Sequence, residues 1–457
     1  MANVLQSVSP TTGSVLATYE MHDEVKVKKA LQQAHKTYNE WRLLSLKERG
    51  QVLKKIAAQL RKQKQQLAEL ATAEMGKPIQ QSLDEVEKCA KTFEFYAREG
   101  LKFLADEKVE TDARKSYVSF QPLGVVLAIM PWNFPYWQVF RAMGPAIMAG
   151  NSMILKHASN VSGCALAIED VVKRSGAPKG LFQTLLLPSS QMKDLIAEPV
   201  ISAVTLTGST AAGKAVASVA AAHIKKQVLE LGGSDAYIIL EDADMATAVQ
   251  VSVNGRLVNS GQSCVAAKRF VAVKAIRKEF EQRVVEQMKA ATFGDPMDKA
   301  NKIGPLARVD LRDTLHDQVQ RSIAMGAKLL CGGYIPVGEG AFYPPTVLSN
   351  VKKGMPAYDE ELFGPVAAII EAKDEKDAIR IANDSIYGLG AGIFSKNRAR
   401  AEKIAAKELQ AGNCFVNAFV HSDARLPFGG VKQSGYGREL SIFGIREFVN
   451  VKTVFIN

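Results

Sequence analysis

Apolar and polar positions alternate at helical spacing through the first quarter of the chain. In the stretch LKKIAAQLRKQKQQL, residues 53–67, basic residues occupy one side of the predicted helix, and apolar residues return on the other side at Val52, Ile56, Leu60 and Leu67. We predict that residues 24–105 are mostly helical. The basic residues then form the solvated side of an amphipathic helix, since no nucleic-acid-binding motif accompanies them.

Beyond residue 105, short continuous apolar runs alternate with helical segments. The runs are VVLAIM (125–130), SMILK (152–156), AVTLT (203–207) and AYIIL (236–240). Continuous apolar runs separated by helices indicate a parallel sheet that is covered on both faces. Ligands bind beyond the carboxyl ends of such strands. One edge of this sheet is therefore predicted to hold Pro131–Asn133, Lys156–Ser159 and Thr207–Ser209.

A second alternation follows Cys264. The predicted strands are RFVAV, PTVLSNV, VAAIIEA and AGIFS, and the predicted helices lie near 276–292 and 375–383. This pattern predicts another α/β domain, with the boundary near Gly232–Gly233. The final stretch EFVNVKTVFI, residues 447–456, alternates and predicts an edge strand of the kind that often pairs with another subunit.

Composition fits an ordinary globular protein, with 47% apolar and 23% charged residues among 457. The five cysteines are scattered without a C-x-x-C pair, which argues against a disulfide framework and a metal site. No signal segment and no long apolar run is visible. We expect a cytoplasmic protein without membrane or nucleic-acid partners, whose net charge of +11 favours anionic ligands.

The stretch GSTAAGKA, residues 208–215, has the spacing of a phosphate-binding loop. Such a loop needs Ser or Thr to hold magnesium, and Ala215 cannot do so. Gly208 and Ser209 at the start of a helix still suit a pyrophosphate group. An ordinary helix cap by Ser209 explains the residues equally well. The G-x-G-x-x-G dinucleotide motif is absent.

Three side chains are candidates for chemistry, and each has a structural alternative. Glu230 lies in a predicted buried strand, where a raised pKa suits a general base, but a structural ion pair is possible. Asn133 lies between two aromatic residues and either donates to an oxyanion or caps a turn. Cys264 is either a nucleophile or a packed core thiol.

Six stretches together resemble the aldehyde dehydrogenase superfamily in order and spacing. They are PWNFP, LTGSTAAG, LELGG, GQSC, EELFGPV (360–366) and PFGGVKQSGYGRE (427–439). Within the superfamily, the chain is most similar to NAD(P)-dependent succinate-semialdehyde dehydrogenases. The resemblance covers nearly the whole chain and favours the catalytic interpretation of Cys264, Glu230 and Asn133.

The resemblance implies an α/β fold with two α/β domains and a β oligomerisation arm. The cofactor domain is a variant Rossmann domain, which explains the missing glycine motif. Carried onto this chain, the cofactor-binding domain comprises residues 1–103 and 123–232, the catalytic domain 233–439, and the arm 104–122 and 440–457. The resemblance also implies a homodimer or homotetramer.

The family mechanism implies that Cys264 attacks the aldehyde and that Asn133 holds the oxyanion. Glu230 then activates water to release the acid from a thioester. The cofactor contacts carried over are Trp132, Lys156, Ser159, Gly208, Ser209, Glu361 and Phe363.

Ser159 stands where many relatives have a glutamate that repels a 2′-phosphate. We therefore expect NADP to be used, in preference to NAD. A plain helix cap is the alternative role of Ser159.

The substrate implied by the resemblance is succinic semialdehyde or a close ω-carboxyl aldehyde. Arg141, two helical turns beyond Asn133, and Ser422 would bind the carboxylate, and Trp137 would line the aldehyde tunnel. A structural salt bridge is the alternative for Arg141. The alternative functions are a broad aliphatic or aromatic aldehyde dehydrogenase and a non-catalytic structural relative.

Overall fold

The computed structural model describes residues 4–457. A two-stranded antiparallel sheet comes first, and four helices follow it, as the spacing of apolar residues predicts. The second and third of these helices share one hydrophobic core but are separated by a break at Gln63, and the basic side of the second helix is exposed. The elements are β1 (Val4–Val8), β2 (Val15–Glu20), α1 (Glu24–Trp41), α2 (Leu46–Lys62), α3 (Lys64–Met75) and α4 (Ile79–Phe103).

The first large sheet has six strands. After β3 (Glu107–Lys108) and β4 (Lys115–Pro122), the chain alternates between strand and helix. The strands β5 and β6 are almost completely buried because helices cover both faces of the sheet. The elements are β5 (Val125–Met130), α5 (Trp137–Ala149), β6 (Ser152–His157), α6 (Ser162–Arg174), β7 (Phe182–Thr184), α7 (Met192–Ala197), β8 (Ile201–Thr207), α8 (Thr210–Ala222) and β9 (Lys226–Glu230).

The second large sheet has seven strands, in the order β12-β13-β14-β11-β10-β15-β16, and is parallel except for β12. The predicted alternation after Cys264 is confirmed. The elements are β10 (Asp235–Ile239), α9 (Met245–Leu257), β11 (Ala267–Val273), α10 (Arg277–Lys289), α11 (Val309–Ala324), β12 (Lys328–Cys331), β13 (Thr346–Ser349), α12 (Pro356–Asp359), β14 (Val366–Ala372), α13 (Glu375–Asn383), β15 (Gly390–Phe394), α14 (Arg398–Lys407) and β16 (Asn413–Val416).

The last three elements contact segments that lie much earlier in the sequence. They are β17 (Gly435–Tyr436), α15 (Ser441–Glu447) and β18 (Val449–Ile456). β17 pairs antiparallel with β9 and completes the first sheet in the order β17-β9-β8-β5-β6-β7. β18 pairs with β4 along its whole length, and with β3 they form a three-stranded antiparallel sheet. None of the helices within residues 4–457 is both long and apolar enough to cross a membrane.

Candidate active site

The carboxyl ends of three neighbouring strands bring the predicted segments to one edge of the first sheet. β5 pairs in parallel with β6 on one side and with β8 on the other. The residues that follow these strands therefore lie side by side, which confirms the expected placement of Pro131–Asn133, Lys156–Ser159 and Thr207–Ser209.

Cys264 follows a sharp turn between α9 and β11. Three consecutive residues of this turn have left-handed backbone angles, with φ of 52° at Asn259, 55° at Ser260 and 77° at Gly261. A side chain at Gly261 would collide with the Gly364 carbonyl, because its Cβ would lie 2.2 Å from that oxygen. The turn thus reverses the chain tightly before the thiol.

Asn133 contacts this turn directly. Its amide Nδ2 donates to the Gln262 carbonyl over 3.1 Å, and the Asn259 amide donates to the Asn133 carbonyl over 2.6 Å. The Asn133 amide is therefore held against residues 259–264, the thiol loop. Capping of the turn before Pro135 would not require this contact. An amide nitrogen carries two hydrogens, and one remains for an oxyanion.

The Cys264 thiol lines a cavity of about 470 Å³. Burial raises its pKa to about 11, although the positive charges of Lys268 and Arg141 act in the opposite direction. Cys89 and Cys164 are completely buried, whereas Cys264 is only partly buried and faces the cavity. This placement favours a nucleophile over a core thiol.

Glu230 is the last residue of β9 and is 2% exposed. Within the described chain, neither of its carboxylate oxygens has a hydrogen-bond partner, so a structural ion pair does not account for it. Burial, and then the charge of Glu439, raise its pKa well above the usual value. A buried carboxyl of this kind is a strong base once it is ionised.

Three of the predicted cofactor residues lie together near the thiol loop. The rings of Trp132 and Phe363 meet edge to face with centroids 5.8 Å apart. The Glu361 carboxylate accepts from the Gly233 amide over 3.0 Å and pairs with Lys268 over 3.2 Å. The latter lysine also donates to the Cys264 carbonyl over 2.5 Å. These contacts couple the position of Glu361 to the thiol loop.

The other predicted cofactor residues line the strand ends of the first sheet. Ser209 caps α8, since its hydroxyl accepts from the Ala212 amide over 3.2 Å, so the helix-cap alternative is observed. Lys156 is buried, and burial lowers its pKa. Among the residues of the described chain, no carboxylate pairs with Lys156, and its Nζ lies 3.4 Å from the Ser189 hydroxyl. An unpaired buried ammonium group suits a phosphate-bearing ligand.

Ser159 begins a one-turn 3₁₀ helix and is exposed. In the described chain, no side chain caps either this turn or α6, so the helix-cap alternative for Ser159 is not supported. The residue lies three positions after Lys156, beyond the same strand. A ligand at this edge of the first sheet would therefore lie within reach of both Lys156 and Ser159. No group of three His, Cys, Asp or Glu side chains within residues 4–457 is arranged to hold a metal ion.

The cavity beside Cys264 also holds the predicted substrate residues. Arg141, Trp137 and Ser422 all line it. Arg141 is 1% exposed and forms an ion pair with Glu439, so the salt-bridge alternative is observed as well. Phe134, Phe419 and Phe428 add aromatic surface to its walls.

The profile of the aldehyde dehydrogenase family matches residues 2–454. The chain belongs to the aldehyde dehydrogenase family. It is 47% identical to the probable succinate-semialdehyde dehydrogenase [NADP(+)] of Synechocystis sp. over 99% of both chains. It is 46% identical to the succinate semialdehyde dehydrogenase [NAD(P)+] of Escherichia coli, over 98% of this chain and 97% of the relative.

Solved structures of this family share the fold. The crystal structure of succinic semialdehyde dehydrogenase from Streptococcus pyogenes in complex with NADP+ superposes with a TM-score of 0.97. The two sequences are 38% identical, and 99% of each chain is covered. The predicted aldehyde dehydrogenase fold, with two parallel-sheet domains, is confirmed.

Two lysines of this aldehyde dehydrogenase were not predicted from the sequence. Lys268 is 1% exposed and lies in the strand AKRFVAV next to Arg269, which is also buried. Two adjacent basic residues inside an apolar strand are the signal that could have identified it. Lys88 lies on α4, 176 positions before Cys264, and nothing in its local sequence indicates the cavity.

Proposed function

We propose that this aldehyde dehydrogenase oxidises succinic semialdehyde to succinate, with NADP as electron acceptor. The observation that carries the proposal is one cavity that holds a thiol nucleophile, Cys264, together with the cationic side chains Lys88 and Arg141 and the hydroxyl of Ser422. An aldehyde that carries a carboxylate at its other end needs both features. The names of the relatives from Synechocystis and E. coli support the same substrate.

In the first half of the reaction, the Cys264 sulfur attacks the aldehyde carbon as a thiolate. The Asn133 amide, held by Gln262, donates to the oxygen that becomes negative. The resting thiol is protonated at neutral pH, because burial raises its pKa to about 11. Its proton must therefore leave to bulk water before the attack, and the positive charges of Lys268 and Arg141 favour the thiolate that remains. Trp132, Glu361 and Phe363 would hold the nicotinamide end of NADP, which would supply the acceptor for the aldehyde hydride.

In the second half, water releases the acid from the thioester on Cys264. Glu230 takes a proton from this water, whose oxygen bonds to the acyl carbon. The carbon–sulfur bond then breaks and succinate leaves. The Asn133 amide again stabilises the negative oxygen, so one donor serves both halves.

The NADP preference is supported by the surroundings of Lys156. This lysine has a buried stem and, within the described chain, no carboxylate partner, and Ser159 follows it without adding negative charge. These residues fit a 2′-phosphate. Gly208 and Ser209 at the start of α8 fit the pyrophosphate, since the first turn of a helix presents free N–H groups.

A broad-specificity aldehyde dehydrogenase is the second candidate function, because the aromatic walls of the cavity also suit neutral aldehydes. The test compares kcat/KM for succinic semialdehyde, glutaric semialdehyde and butanal, each with NADP and NAD. We expect succinic semialdehyde with NADP to be the best pair. A preference for butanal would support the broad-specificity enzyme.

We also propose the domain division and the assembly that are expected of this family. The six-, seven- and three-stranded sheets support a division at 1–103 with 123–232, 233–439, and 104–122 with 440–457. β17 departs from it, because this strand lies in the segment 233–439 but joins the six-stranded sheet, and residues 1–3 lie outside the described chain. β18 carries exposed apolar side chains at Val451 and Phe455. This surface suits a homodimer or homotetramer, which sedimentation of the purified enzyme would test.

The free thiols suit a cytoplasmic location.

A further inference from the structure

We infer that Lys88 is the residue that binds the substrate carboxylate and that it sets the preference for ω-carboxyl aldehydes. The inference rests on the proposed function and deepens it. It assigns the main recognition to a side chain on α4, whereas Arg141 has its charge compensated within the protein.

Lys88 is anchored inside the cavity by two contacts. Its Nζ donates to the Ser422 hydroxyl over 2.7 Å. The same nitrogen lies 4.1 Å from the centre of the Trp137 ring. The ammonium group is therefore held at the wall of the cavity that contains Cys264, beside the hydroxyl already expected to bind the carboxylate.

The acidic side chains around Lys88 are already engaged with other groups. The Glu85 carboxylate pairs with Lys77 and accepts the main-chain N–H groups of Tyr136 and Trp137. Asp423 pairs with Arg425, over 2.6 Å. In the part of the chain that the structure describes, Lys88 forms no ion pair, so its charge is available to an anion.

Arg141 differs from Lys88 in this respect. It forms an ion pair with Glu439, and its Nη2 donates to the Thr207 hydroxyl over 3.3 Å. Its guanidinium also packs over the Phe428 ring, 4.9 Å from the ring centre. Arg141 thus adds to the positive field of the cavity, while Lys88 offers an uncompensated ammonium group.

The lowered pKa of Lys88 agrees with a site that binds an anion. Burial first, and the charge of Arg141 second, lower its pKa to about 8. A bound carboxylate would offset both effects. The other titratable or charged groups facing this region are Asp84, Glu85, Cys89, Arg141, Cys264, His421 and Asp423.

The test measures the ratio of kcat/KM for succinic semialdehyde to kcat/KM for butanal in purified full-length enzyme with NADP. Lys88→Met keeps the apolar stem but removes the charge, and we expect the ratio to fall about 10- to 100-fold. Lys88→Arg should retain most of the ratio. Lys91→Met is the matched control, because Lys91 lies one turn further along α4 and is exposed.

The pH dependence provides a second readout. Binding needs protonated Lys88, so the ratio should fall as pH rises through about 8 in the wild type and stay level in Lys88→Arg. Titration of Cys264 and Glu230 affects both substrates and cancels in the ratio.

An unchanged ratio in Lys88→Met, or an equal loss with butanal, would overturn the assignment of Lys88 while leaving the proposed function standing. A wild-type enzyme without preference for succinic semialdehyde over butanal would instead overturn the proposed function, and the assignment with it.

Discussion

The Asn133 side-chain amide donates to the carbonyl of Gln262, two residues before Cys264, over 3.1 Å. Asn133 follows β5 of the first sheet, and Gln262 lies shortly before β11 of the second sheet. One hydrogen bond therefore joins the proposed oxyanion donor to the loop that carries the proposed nucleophile. A donor fixed before substrate arrives needs no reorganisation during the reaction.

Asn133→Ala should lower kcat about 10²- to 10³-fold, because it removes a donor to the negative oxygen in both halves of the reaction. KM should change much less. Steady-state rates with succinic semialdehyde and NADP measure the effect, and the labelling rate of Cys264 by iodoacetamide serves as the control for an intact thiol loop. A near-wild-type kcat would remove Asn133 from the catalytic residues.

Alkylation of Cys264 in cofactor-free enzyme should speed up about tenfold per pH unit between roughly pH 7 and 10. Burial raises the thiol pKa to about 11, so the thiolate fraction keeps growing throughout this range. Peptide mass spectrometry follows the label at each cysteine. The fully buried Cys89 and Cys164 should remain unlabelled in the folded protein. A plateau in the Cys264 rate near neutral pH would contradict the raised pKa.

Glu230→Gln should separate the two halves of the reaction. Hydride transfer should still give a rapid burst of NADPH, whereas thioester hydrolysis should slow about 10²- to 10⁴-fold without the base. Stopped-flow absorbance records the burst, and intact-protein mass spectrometry should detect a succinyl group on Cys264. If the burst itself disappears, Glu230 is also required to deprotonate the thiol.

The same Glu230→Gln variant should unfold at a higher temperature than the wild type at about pH 8. Burial raises the folded-state pKa of Glu230, so the folded protein loses stability as pH rises from the unfolded pKa towards the folded one. Each unit of that difference corresponds to about 1.4 kcal/mol of unfolding free energy. The neutral amide removes this loss, so the gain in melting temperature should shrink near pH 5, where scanning calorimetry should find the two proteins alike.

Ser159→Glu should reverse the cofactor preference. A carboxylate near Lys156 would repel the 2′-phosphate of NADP and accept hydrogen bonds from the ribose of NAD, so kcat/KM for NADP should fall about 10- to 100-fold. Ser159→Ala is the matched control and should retain NADP. The ratio of kcat/KM for the two cofactors measures the change, and an unaltered ratio in Ser159→Glu would place the phosphate elsewhere.

Local sequence patterns were sufficient for most of the fold. Continuous apolar runs located β5, β6, β8 and β10, because strands buried on both faces need such runs. The break at Gln63 between α2 and α3 was not predicted, since the apolar spacing continues across it.

The chemistry of single residues was less accessible from sequence. Cys264 and Asn133 could be named from the family motifs, but the contact between Asn133 and Gln262 spans 129 positions. The pairing of Arg141 with Glu439 and of Lys88 with Ser422 likewise depends on segments brought together only by the complete fold. Such contacts between distant residues produce no periodic pattern in the sequence.

The short β17 has a consequence for how the protein is made. Gly435 and Tyr436 pair with Glu230 and Leu229, and a side chain at Gly435 would meet the Leu229 carbonyl, with its Cβ 1.9 Å from the oxygen. During synthesis, the strand that ends in Glu230 therefore has an open edge until the ribosome has added Gly435 and Tyr436, which lie about 200 positions later in the sequence. Chains released before that point would expose the edge of β9 to one another, so β17 both completes the sheet and protects this edge from aggregation.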